Sequence, residues 1–160
     1  MDPLCSRMVR AALCWLVAGA LVGGLMLLDG TLPGALVAWL APSHAHMLFV
    51  GWFLQFVIGV AYWLLPRKRT PAQPLGYDER LGMLAMLALN AGLLLRVGAE
   101  PIERAGLGNA LTQITLGGVA LLQVAAIVIF ATQLWPRVGP RVPRTKLEAP
   151  GGTGKESPNE

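Results

Sequence analysis

Long apolar runs alternate with short polar blocks along the chain. A helix needs about 20 residues to cross a hydrocarbon core about 30 Å thick. Four runs are long enough, over residues 8–28, 44–65, 81–97 and 107–134. Residues 11–28, 45–65 and 107–136 contain no Asp, Glu, Lys or Arg. The pattern predicts an all-α membrane protein. A four-helix transmembrane bundle is expected over residues 1–136 and a disordered cytoplasmic tail, rich in Pro, Gly and charge, over 137–160.

Between the first two runs, Ala35 to Ala41 is apolar but too short to cross. It is expected to lie at the outer interface with Trp39 at headgroup depth. Pro42 and Ser43 are then expected to open the second helix, because Pro suits a first helical turn and Ser caps free N–H groups. The first run also has traits of a signal peptide, with Arg7 and Arg10 before it and Ala18-Gly19-Ala20 inside it. It continues through Leu28, too far for that role, so a retained membrane helix is expected.

Charge sets the orientation. Of the 13 Lys and Arg residues, eleven fall in three regions. These are the N-terminal segment (Arg7, Arg10), the loop between the second and third runs (Arg67, Lys68, Arg69, Arg80) and the tail (Arg137, Arg141, Arg144, Lys146, Lys155). Only Arg96 and Arg104 lie on the other side. The excess predicts that both termini face the cytoplasm, in a multi-pass protein of the inner cell membrane.

Composition agrees: 54% of residues are hydrophobic and 14% charged, against about 25% charged in soluble domains. The net charge of +4 therefore reads as membrane orientation and not as nucleic-acid binding. Cys5 and Cys14 make neither a disulfide framework nor a zinc knuckle. Gly151 to Lys155 has the look of a phosphate loop, but Glu156 stands where Ser or Thr must follow the Lys. Soluble-enzyme chemistry has no candidate pair of nucleophile and base, and an ion pathway has little support.

Helical periodicity assigns the faces. On the second helix, one face reads His44, Leu48, Gly51, Gln55, Gly59, Tyr62. The other reads His46, Phe49, Val50, Phe53, Val57, Val60, Leu64. Small and polar residues gather where membrane helices meet, so His44 is expected inside the bundle. His46 is expected toward lipid, the interface or a neighbouring subunit. Gly19 and Gly23 suit close backbone approach, and Asn90 and Gln123 are expected to face protein.

The stretch from His44 to Trp52, followed by Gly59, Tyr62-Trp63 and Leu65-Pro66-Arg67, resembles the second helix of the haem–copper oxidase catalytic subunit. That superfamily includes the nitric oxide reductases. The resemblance covers about an eighth of the chain. In the family, a histidine at the outer end of this helix is an axial ligand of the low-spin haem, and His44 matches that position. The resemblance thus implies haem b, with His44 as ligand. Gly51 and Gly59 would leave room for the macrocycle, with Gln55 on the same wall. It also implies a respiratory electron-transfer complex.

This chain lacks the further histidines of the family's reducing site, so it is not a stand-alone oxidase. A second axial ligand would come from Met26, from Met47, from His44 of a second copy in a homodimer, or from another partner. Arg96 would pair with haem propionates or simply snorkel to the interface. Two other readings stand beside this one. The first is a structural or assembly subunit without a cofactor. The second is copper handling at the outer face through His44, His46 and Met47. The roughly 200° divergence of an i, i+2 pair opposes the copper reading.

Overall fold

The computed structural model describes residues 2–28, 34–71 and 73–139. Four helices span these residues: α1 (Pro3–Met26), α2 (Gly34–Leu64), α3 (Glu79–Arg104) and α4 (Ala110–Leu134). Each is long and apolar enough to cross a membrane. The shortest has 24 residues, which at about 1.5 Å per residue exceeds the hydrocarbon thickness. The chain is thus an all-α four-helix membrane bundle.

Besides the starts of α1 at Pro3 and of α4 at Ala110, three boundaries differ from the sequence expectation. Residues 34–41 form no separate interfacial piece. They continue α2 backwards through Pro42, and Trp39 is half-buried. Pro42 removes one backbone donor, a loss that neighbouring groups can absorb in a membrane helix. A π-helical segment follows at Met47–Leu54. Helix α3 runs past Val97 and through Pro101 to Arg104. It stops where Gly106 takes φ +73°, with Gly106 N bonded to Glu103 O and Leu107 N to Ile102 O. This pair of bonds closes a helix end around a left-handed glycine. Asn109 and Thr112 then cap α4 reciprocally.

The third difference is at the C-terminal side. Arg137, expected in the tail, is 2% exposed. It donates to the carbonyls of Tyr62, Leu65 and Pro66, at 2.9, 2.7 and 3.1 Å. It therefore belongs to the bundle, where a guanidinium satisfies the orphan carbonyls that end α2. The rest of the expected tail, residues 140–160, lies outside the described residues, as do residues 29–33 of the first loop.

Helix α1 packs along α2, and α3 packs along α4. Helix α4 meets α2 mainly at the end that holds Asp2 and Arg137, where Tyr62 stacks edge-on against Phe130 and bonds Gln133. The buried core at this end comprises Leu4, Cys5, Met8, Ile58, Tyr62, Tyr77, Ala85, Leu89, Ala126 and Phe130. Further along the bundle, Trp15 of α1 donates to Asn90 of α3 at 2.8 Å.

Candidate functional site

The histidines lie at the end of the bundle opposite Asp2 and Arg137. His44 faces α1, and its Nδ1 is 2.9 Å from the Gly19 carbonyl oxygen. Its ring occupies the notch left by Gly23. A Cβ there would stand 2.7 Å from His44 Cε1. The Gly19 and Gly23 pair thus admits an imidazole edge where two backbones would otherwise meet.

His46, expected toward lipid, the interface or a neighbouring subunit, is about a third exposed at its side chain and also meets protein. Its Nδ1 lies 2.8 Å from the Pro42 carbonyl and 3.9 Å from Glu100 Oε2 on α3. Arg96 Nε reaches the same Glu100 oxygen at 3.3 Å. The physical reason is position: at this level α2 lies between α1 and α3, so its opposite sides both meet protein. His44 takes one side and His46 the other. Glu100, 9% exposed, is not singled out by the sequence pattern. The available signal is its spacing of four residues after Arg96, which places opposite charges on one helix face.

The other expected cofactor residues are found in packed surroundings. A Cβ on Gly51 would meet Trp15 Cγ at 2.6 Å and Leu93 Cδ2 at 2.7 Å. One on Gly59 would meet Met8 Cβ at 3.1 Å. Gln55 is fully buried, and its Nε2 donates to the Met8 carbonyl at 3.3 Å. Met26 is half-buried in the last turn of α1, and Arg96 is engaged by Glu100. The inward glycines therefore receive neighbouring side chains. These residues do not fit a porphyrin within the bundle.

Nor do the histidines fit one copper ion together, since they face different helices and Met47 is buried. Among the described residues, no three His, Cys, Asp or Glu side chains come together as a metal-binding group.

A second polar cluster closes the opposite end. Asp2 pairs with Arg67 at 3.0 Å and accepts from the Tyr77 hydroxyl at 3.4 Å. Burial first, then the Asp2 carboxylate, pushes the Tyr77 phenol well above the usual tyrosine range, so it stays a donor. Arg137 lies over the Tyr62 and Tyr77 rings, 5.6 and 6.0 Å from their centroids. The cluster ties the start of α1, the end of α2 and the end of α4 together. The sequence pattern singles out only its basic residues and Tyr62, not Asp2 or Tyr77.

Buried atoms without a described partner include Ser43 Oγ and Gln123 Nε2, on α2 and α4. No protein-family model, curated protein or solved structure matches this chain. The site geometry therefore stands alone as the ground for a functional reading.

Proposed function

We propose that the chain is a cofactor-free structural or assembly subunit of a larger complex in the inner cell membrane, with its basic end toward the cytoplasm. The observation that carries this reading is the use made of His44. Its ring joins α1 to α2 through Gly19 and Gly23, while Trp15, Leu93 and Met8 fill the niches at Gly51 and Gly59. Helix α4 supports membership of a complex. It packs on α3, and its outward side carries Gly117 and Gly118, where a methyl added at either position would have nothing within 4 Å. Small residues are where membrane helices associate.

The test is purification from native membranes in mild detergent. The expected product is colourless and co-migrates with a larger assembly. A Soret band that disappears in His44→Ala contradicts the reading.

One observation favours a second reading, in which His44 ligates haem b in an electron-transfer complex. A ring nitrogen that donates to a backbone carbonyl leaves the other nitrogen as the lone-pair site. The Nδ1 contact with Gly19 O would do this for His44 Nε2. The macrocycle would then lie outside the packed interior, between this chain and a second copy or a partner. Haem would supply reversible one-electron chemistry, and this chain would supply ligand orientation. The same spectrum separates the two readings.

A further inference from the structure

We propose that the outward side of α1 binds an anionic phospholipid, with its phosphate held by Arg7 and Arg10 and one acyl chain laid along the helix. The two arginines are three residues apart, so they share one flank of the helix. Both are exposed. Arg7 Nη1 has the Met83 thioether as its partner at 3.5 Å, and a thioether is a weak acceptor with no charge. Arg10 makes no ion pair among the described residues. The nearby carboxylate of Asp2 is already committed to Arg67 and Tyr77.

A shallow apolar groove, open on its outer side, starts one turn inward of Arg10 on the face of α1 formed by Leu13, Cys14, Val17, Ala18 and Leu21. These positions follow Arg10 at helical spacing, so charge and groove lie on the same side of α1. Arg10 is also the last charged residue before the uninterrupted apolar stretch 11–28. Its guanidinium thus stands at the edge of the hydrocarbon layer, where lipid phosphates lie. Guanidinium groups suit phosphate because they donate two parallel hydrogen bonds. At the opposite end, Arg96 is paired with Glu100, whereas Arg7 and Arg10 have no such carboxylate partner among the described residues.

The experiment follows thermal unfolding of the full chain in mild detergent with added phosphatidylglycerol, phosphatidylcholine or inorganic phosphate. Phosphatidylglycerol is expected to raise Tm by several degrees, and the other two to leave it almost unchanged. The double variant R7Q/R10Q is expected to lose at least half of that shift, while K68Q/R69Q keeps it. Val17→Trp fills the groove without touching the charges and is expected to weaken the shift, which provides a test if R7Q/R10Q folds poorly. Four results overturn the proposal. They are no shift with phosphatidylglycerol, an equal shift with inorganic phosphate, an undiminished shift in both R7Q/R10Q and Val17→Trp, and an equal loss in K68Q/R69Q.

Discussion

Gly23 and His44 approach more closely than two side chains allow: a Cβ on Gly23 would lie 2.7 Å from His44 Cε1. Its chain neighbour Gly24 has nothing within 4 Å of the same added atom. Two adjacent substitutions therefore have opposite consequences. Gly23→Ala displaces the imidazole and is expected to cost about 1–3 kcal/mol, the usual range for overpacking. Gly24→Ala is expected to stabilise by about 0.5–1 kcal/mol through helix preference alone. Unfolding of the two variants in the same detergent checks both signs.

The Trp15 to Asn90 hydrogen bond, at 2.8 Å, joins α1 to α3 in the apolar part of the bundle. Interhelical hydrogen bonds in membranes contribute about 0.6 kcal/mol on average and up to about 1.7. The Trp15→Phe and Asn90→Leu variants are each expected to lose stability. In the double variant the losses are expected to be non-additive by about that amount. A double-mutant cycle measures it, and strict additivity refutes the pairing.

Arg137 shows why a conservative exchange can fail. Its guanidinium reaches three carbonyls at the end of α2 and lies over two tyrosine rings. An ammonium cannot span this arrangement. Arg137→Lys is expected to cost at least about 1.5 kcal/mol, the lower range for one hydrogen bond to a charged group. It is also expected to open the Tyr62 to Tyr77 region to proteolysis or hydrogen exchange, which reports the local effect directly.

Much of this bundle is legible in the sequence because membrane helices announce themselves by length and charge deficit. The inward side of α2 is equally readable from its glycines, Gln55 and Tyr62. Helix ends are less so. Glu100, Glu103 and Arg104 make the end of α3 look like a loop, whereas a left-handed glycine at 106 decides where it stops. Pro42 looks like a helix start, but α2 passes through it. Periodicity separates His46 from His44 but does not show that Glu100 on α3 stands beside it. The polar cluster of Asp2, Arg67, Tyr77 and Arg137 is held by contacts between residues 60 or more positions apart, which no local pattern reveals.

His44 joins α1 to α2 through the Gly19 carbonyl, and the proposed cofactor-free reading rests on that role. The visible spectrum of protein purified from native membranes, oxidised and then dithionite-reduced, tests it most directly. No Soret band is expected in either state, with His44→Phe still folded but less stable. A Soret band that sharpens on reduction and is absent from His44→Ala would contradict it.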